Sequence, residues 1–335
     1  MSVSIQELSI KKLFGNKDLI WKLKDVNVLV GKNGKGKTII LKIIHNTLIN
    51  KEEKELTLCE SANIRLSNGR VISRRNDDKT TEFLGSLAKH IIAQISKDKN
   101  SFNKFVKENK NKTEDELRTT LENILNTISP DKNKKNKSNG FFVEMGKEED
   151  KKEEINVSYI STINMNANSN NEINKSSGER TTILAMETET EIAKILSPSE
   201  SEAEEIEKIE DKSLLMEILN NLFKETDKEI FITSDFIVKK INSDITYEIN
   251  DLSSGEKQLI YTLLRVANSK RKNQIILMDE PEISLHLSWQ EKLLASIKKL
   301  RSESQIIVVT HSPGIVMDGW MGNYTEIDNI LTMSE

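Results

Sequence analysis

The sequence is poor in residues that would place it in several common classes. Its 335 residues hold one cysteine, four prolines, four histidines and 5% aromatic side chains. A single thiol, Cys59, excludes an internal disulfide framework. Its expected role is that of a small buried apolar group. Four histidines leave little material for a histidine-based metal cluster, and no HNH-type nuclease pattern is visible. No apolar run approaches the roughly 20 residues of a membrane span. The opening MSVSIQELSI lacks the basic-then-apolar order of a secretory leader. These absences point to a cytoplasmic protein that works outside any bilayer. An excess of one charge is also missing: 49 Lys and Arg face 53 Asp and Glu, for a net charge of -4. Such balance argues against a wholly basic nucleic-acid binder but leaves room for local patches. There is no internal repeat and no sustained heptad pattern, which excludes a long coiled-coil arm.

What is present is an alternation of strands and helices. Residues 3–10, 18–24 and 26–30 read as strands, and the last leads into a glycine-rich turn and a helix, TIILKIIHNTL at 38–48. Residues 60–75 read as a hairpin around Asn68-Gly69. From 84 to 128 the pattern is helical, followed by a polar loop at 130–140 and β runs at 141–145 and 155–160. Residues 166–180 read as a loop; 182–195 and 200–226 read as helices. Three β runs at 229–234, 236–241 and 245–249 form a meander. A helix opens after Gly255; QIILMDE (274–280) and QIIVVTH (305–311) are buried strands flanking a helix at 287–300. Buried strands alternating with helices imply a mainly parallel sheet in an α/β fold. The expected division is an N-terminal lobe at 1–83, an insertion at 84–154 and the remaining core at 155–335.

Four motifs carry chemistry. GKNGKGKT, Gly31 to Thr38, fits the P-loop spacing between a strand and a helix. Its backbone N–H groups, through Gly31, Asn33, Gly34, Lys35, Gly36 and on to Ile39, would curl around phosphate oxygens at a helix N-terminus. Lys37 should reach the β- and γ-phosphates, and the Thr38 hydroxyl should bind Mg²⁺. IILMDEPE, Ile275 to Glu282, ends a buried strand in two carboxylates. Asp279 suits Mg²⁺ and Glu280 suits the general base that polarises an attacking water. LSSGEKQ, Leu252 to Gln258, sets Ser253, Ser254, Gly255 and Glu256 at the head of a helix, a second anion site. His311 ends a buried strand where a γ-phosphate sensor is needed.

These four motifs, which run GKNGKGKT, LSSGEKQ, IILMDEPE and His311 over residues 31 to 311, resemble an ABC-type ATPase head. GKNGKGKT matches the Walker A motif, LSSGEKQ the signature, IILMDEPE Walker B, and His311 the switch histidine, with Ser284-Leu285-His286 in the place of the D-loop. The resemblance implies an ATP- and Mg²⁺-dependent hydrolase with a β-rich N-terminal lobe and an inserted helical lobe. It also implies a homodimer or higher oligomer in which each ATP lies between the P-loop of one subunit and the signature Ser253 of the other. DEPE followed by SLH, together with THSP and the tail to Trp320, is more similar to the RecF, SMC and OLD-like branch than to transporter ATPases. Within it the chain resembles the AAA-type ATPase subunits of bacterial phage-defence systems of the PARIS and Septu kind.

Two departures stand out. Lys35 occupies a P-loop position where a small residue is usual, and either adds a phosphate contact or slows turnover. No glutamine marks the Q-loop; YISTINMNAN (159–168) offers Asn164 or Asn166 instead. Phe14 and Trp21 are candidates for stacking on adenine, with core packing the better expectation for both. The leading functional expectation is a defence ATPase that senses infection and controls a separate effector, a nuclease by class. The chain ends soon after His311, which leaves no room for a fused nuclease. The insertion and the acidic helix SESEAEEIEKIE read either as docking surfaces for that effector or as solvated decoration. The alternative is a RecF-like repair ATPase that binds DNA through Lys97, Lys99, Lys104, Lys107, Lys110 and Lys112, interleaved with Phe102 and Phe105. A transporter motor fits least.

Overall fold

The computed structural model describes residues 2–75, 141–145, 153–161, 172–174 and 180–334. Strands β1 (Ile5–Leu13) and β2 (Lys17–Lys22) form a hairpin; β3 (Val26–Val30) runs into the P-loop and helix α1 (Lys37–Leu48). Strands β4 (Ser61–Leu66), β5 (Val71–Arg75) and β6 (Phe141–Met145) follow, then β7 (Asn156–Ser161), β8 (Glu172–Asn174) and β9 (Arg180–Thr182). Helices α2 (Ile183–Leu196) and α3 (Glu202–Phe223) lead to the meander β10 (Lys228–Ile232), β11 (Phe236–Lys240) and β12 (Thr246–Tyr247). Helix α4 (Ser254–Ala267), β13 (Gln274–Asp279), α5 (Leu287–Leu300) and β14 (Gln305–Thr310) complete the crossovers. Two short strands, β15 (Tyr324–Glu326) and β16 (Leu331–Met333), close the chain.

Two sheets dominate. The central one has the order β15-β3-β14-β13-β7, and every pairing in it is parallel. The other has the order β16-β2-β1-β4-β5-β6 and is antiparallel. This is the α/β architecture with a β-rich N-terminal lobe that the motif order implied. The two-residue side-chain period of a strand explains the layering. Ile276, Met278, Ile306 and Val308 enter one core, packed on α2, α3, α4 and α5. Their alternates Ile275, Leu277, Ile307 and Val309 enter the other, between α1 and the antiparallel sheet. Strands buried on both faces are therefore apolar through their middles, as residues 275–278 and 306–309 are, with polar residues only at their ends.

Local readings held where the signal was strong. Gly69 takes φ +85° in the β4–β5 hairpin, the conformation an Asn-Gly turn needs. Cys59 is buried, its thiol donates to the Leu56 carbonyl at 3.5 Å, and burial pushes its pKa up to about 12. Helix α3 exposes its acidic N-terminal half, from Glu202 to Glu204 and on to Glu210, and buries Leu215, Leu219 and Phe223 in its second half.

Three readings need correction. Glu172–Asn174 pairs with Arg180–Thr182 inside the stretch read as a loop. Helix α4 begins at Ser254, so Gly255 lies in its first turn and Ser253 is its N-cap. Phe14 is no core residue: it is 39% exposed, at φ +56°, while Trp21 is buried in the core. Strand β6 pairs with β5, so residues 141–145 belong to the antiparallel sheet. Residues 84–140, with the lysine-rich stretch and its Phe102 and Phe105, lie outside the described residues, as do Asn164 and Asn166. Among the described residues no helix is long and apolar enough to cross a membrane.

Candidate active site

Three adjacent parallel strands, β3, β14 and β13, end side by side, and each delivers one motif at its carboxyl end. Ligands of open α/β sheets bind at that edge. The P-loop follows β3, His311 follows β14, and Asp279 closes β13. The register fixes their level, since Asp279 pairs with Val309 and Thr310 with Val30.

The P-loop's shape explains its glycines. Gly34 and Gly36 take φ of +79° and +92°, conformations L side chains resist. A Cβ on Gly36 would also lie 2.5 Å from the Phe14 ring, and one on Gly31 would lie 2.4 Å from the fully buried Ile327 side chain. Lys37, 5% exposed, donates to the Gly31 carbonyl at 2.8 Å and to His311 Nε2 at 2.8 Å. Burial lowers its pKa; the carboxylates of Glu280, Asp279 and Glu282 oppose that shift. Lys35 pairs with Asp328 at 3.1 Å, both groups well exposed.

The carboxylates are arranged in depth. Thr38 Oγ1 donates to Asp279 Oδ1 at 2.9 Å, and Tyr159 Oη donates to Oδ2 at 3.2 Å. Burial raises the Asp279 carboxyl above its ordinary range despite those two hydrogen bonds. Glu280 turns out of the strand at φ +50°. That conformation costs a non-glycine residue on the order of 1 kcal/mol. The turn brings its Oε1 3.0 Å from His311 Nε2 and its Oε2 within 3.1 Å of the His311 N–H. Burial, then the neighbouring Glu282, pushes its carboxyl up to about 8. Burial and Lys37 hold the His311 ring below its usual pKa.

Mg²⁺ takes oxygen ligands and commonly draws on one or two protein groups plus phosphates and water. The Thr38 hydroxyl beside the buried Asp279 carboxylate fits that need. Among the described residues no cluster of three His, Cys, Asp or Glu could hold a metal.

The signature residues are built differently. Ser253 caps α4: its Oγ accepts from the Glu256 N–H at 3.3 Å and donates to Glu256 Oε2 at 2.9 Å, and its own N–H donates to that carboxylate at 2.9 Å. Lys228 pairs with Glu256 at 2.7 Å. Burial would raise the Glu256 carboxyl, but the Lys228 and Ser253 hydrogen bonds outweigh it and hold it low. A Cβ on Gly255 would meet the Ser284 carbonyl at 2.4 Å, so the signature glycine is a packing requirement against the D-loop position. Ser284 itself sits at φ +67°.

The structure thus brings two hydrogen-bonded sets to one sheet edge, Thr38 with Asp279 and Tyr159, and Lys37 with His311 and Glu280. The recorded hydrogen bonds of Ser253 stay within its own helix end. Two residues of the site were missed in the sequence. Tyr159 lies in a β run whose pattern gives no hint of a partner across the sheet. Glu282 belongs to the acidic motif and could have been found there as the third carboxylate.

Comparison with known proteins agrees with this geometry. The family described as "AAA domain, putative AbiEii toxin, Type IV TA system" matches residues 26–318. The chain is similar to the Septu protein PtuA of Bacillus thuringiensis, 36% identical over 97 residues, 25% of this chain and 24% of that protein. It is 32% identical over 92 residues to the retron Ec83 probable ATPase of Escherichia coli, 24% of this chain and 17% of that protein. It is 31% identical over 105 residues to the DNA double-strand break repair Rad50 ATPase of Methanocaldococcus jannaschii, 29% of this chain and 10% of that protein. The matched stretches thus span a quarter or less of each of these relatives. An SMC head bound to the C-winged helix domain of ScpA aligns over 98% of this chain and 96% of its own, with 14% identity and a TM-score of 0.48. The chain belongs to the AAA-domain family matched across residues 26–318, and is a nucleotide-binding ABC-type ATPase domain.

Proposed function

We propose that this chain is the ATP-hydrolysing subunit of a bacterial anti-phage defence complex, dimerising around ATP·Mg²⁺ to control a separate effector, a nuclease by class. Its similarity to Septu PtuA and to a retron ATPase carries the defence reading. The convergence of Lys37, Thr38, Asp279, Glu280 and His311 supports the chemistry.

In this reading the P-loop amides, from Gly31 through Asn33, Gly34, Lys35 and Gly36 to Ile39, cradle the phosphates. Lys37 and His311 face the γ-phosphate. Thr38 and Asp279 would hold Mg²⁺, with Tyr159 fixing the Asp279 carboxylate. Bound there, the metal would supply neutralisation of phosphate charge. Glu280 accepts the proton of the attacking water, which requires it to be ionised. The positive charges of Lys37 and of the loaded site favour that form. Ser253, Ser254, Gly255 and Glu256 complete the site of a second copy. Phe14, exposed beside Gly36, offers a face for the base.

Co-purification of the tagged chain with the product of its neighbouring gene, and loss of phage protection in Lys37→Ala, test this directly. Full protection with Lys37→Ala would end the ATP-dependent reading. A second reading, a DNA-maintenance ATPase, is supported by the Rad50 match. ATP hydrolysis stimulated by duplex DNA, without any effect on phage infection, would favour it.

A further inference from the structure

Glu282 takes no part in the hydrolysis proposed above, yet it is 6% exposed and stands two residues beyond Glu280. A buried carboxylate is costly unless its oxygens find donors. One of its oxygens, Oε1, finds three, on three successive residues. The Thr310 hydroxyl donates to it. The backbone N–H of His311 lies 3.3 Å away and that of Ser312 3.2 Å away. All three donors belong to the turn by which the chain leaves β14. Thr310 Oγ1 in turn accepts from the Ser312 N–H at 2.8 Å, closing the turn on itself. The His311 N–H also reaches Glu280 Oε2 at 3.1 Å, so the two carboxylates share one donor. The second Glu282 oxygen, Oε2, is buried without a hydrogen-bond partner among the described residues.

A convergence of successive donors on one oxygen is how a protein fixes an irregular turn that no sheet ladder holds. Beyond Thr310 the register of β14 with β3 ends. From there the direction of the His311 ring depends on what holds Thr310, the His311 amide and Ser312. Each of those groups bonds to Glu282.

We propose that Glu282 is a positioning residue that fixes the His311 turn, so that discrimination of a nucleoside triphosphate from a diphosphate depends on it. The inference rests on His311 facing the γ-phosphate and extends that reading to the group that aims it. Displacing a reading group by about 1 Å is enough to lose its contact. The P-loop, which would hold the α- and β-phosphates, makes none of these three bonds. The expected signature of losing Glu282 is therefore a selective one.

The test measures Kd for a non-hydrolysable ATP analogue and for ADP, each with Mg²⁺, on the full chain. Glu282→Ala should weaken analogue binding roughly tenfold, about the loss of one good hydrogen bond, and leave ADP binding within about twofold. Glu282→Gln retains an acceptor oxygen and should restore most of the discrimination. Thr310→Val removes one donor and should show the same selectivity at smaller size, which covers the case of an insoluble Glu282→Ala. Equal losses for both nucleotides, or an unchanged ratio in Glu282→Ala and Thr310→Val, would overturn the proposal. His311→Ala separates it from its premise. If that variant keeps the wild-type ratio, the γ-phosphate role of His311 has failed and the positioning role fails with it. If His311→Ala loses the ratio while the Glu282 and Thr310 variants keep it, only the positioning role has failed.

Discussion

The P-loop half of the site and the signature half use the same raw material, a helix N-terminus with glycine beside it, in opposite ways. At the P-loop the polar groups face outward to other elements: Lys37 reaches His311 and Thr38 reaches Asp279. At the signature they face inward, with Ser253 and Glu256 satisfying each other and Lys228 anchoring the pair. The glycines differ in the same sense. Gly34 and Gly36 serve a backbone conformation, whereas Gly255 serves close packing on Ser284. One half is a charge constellation built across three strands. The other is a self-satisfied helix cap with Ser253 exposed at its tip, which in the proposed reading completes a site that another molecule brings.

Variants sharpen this contrast, from the largest effect down. Glu280→Gln should cut turnover roughly 10²- to 10⁴-fold, the usual worth of a general base, while ATP binding persists; steady-state hydrolysis beside equilibrium binding reads both. Lys37→Ala should weaken ATP binding on the order of 100-fold, since a buried charged contact is worth about 2–5 kcal/mol; a fluorescent-nucleotide titration measures it. Ser253→Arg should leave ATP binding intact and abolish turnover. Mixing Ser253→Arg with Lys37→Ala should then recover activity, because a mixed pair contains one intact composite site. No recovery on mixing would break the idea that the two halves meet between copies.

Smaller effects concern the carboxylates and the P-loop lysine. In nucleotide-free protein the Glu280 carboxyl is pushed up from 4.5 to about 8. A group raised on folding contributes its full stability below its unfolded pKa and loses that contribution as pH rises through the folded one. Between pH 4.5 and 8 the melting temperature of the wild type should therefore fall relative to Glu280→Gln, by roughly 2–6 °C. A parallel pH dependence of the two proteins would count against the buried-carboxylate picture. Asp328→Asn frees Lys35 from an exposed ion pair worth at most about 1 kcal/mol. ATP affinity in that variant should change less than about fivefold.

Strong local signals carried most of the fold into the sequence. The P-loop needed its glycines, strand and helix in fixed order. The middles of β13 and β14 had to be apolar because both faces are buried. The Asn68-Gly69 hairpin and the meander at 228–247 announced themselves by turn chemistry and alternation. What was missed has a common cause, namely pairing between segments far apart in the chain. Three-residue strands such as Glu172–Asn174 and Tyr324–Glu326 are too short for a periodic signal. Ile327 under Gly31 and Asp328 beside Lys35 depend on the final strands crossing back to the P-loop. Tyr159 reaches Asp279 only because β7 lies next to β13. Glu282 was visible within the acidic motif, but its three donors lie at the end of β14 and in the turn just beyond it, nearly thirty residues later.

The most direct test of the composite site is the solution mass of Glu280→Gln with and without ATP and Mg²⁺. A chain of 38.2 kDa that assembles around nucleotide should shift to a species of twice that mass only when both are added. A mass that does not respond to nucleotide would contradict the account, and would leave the signature helix without the site it is proposed to complete.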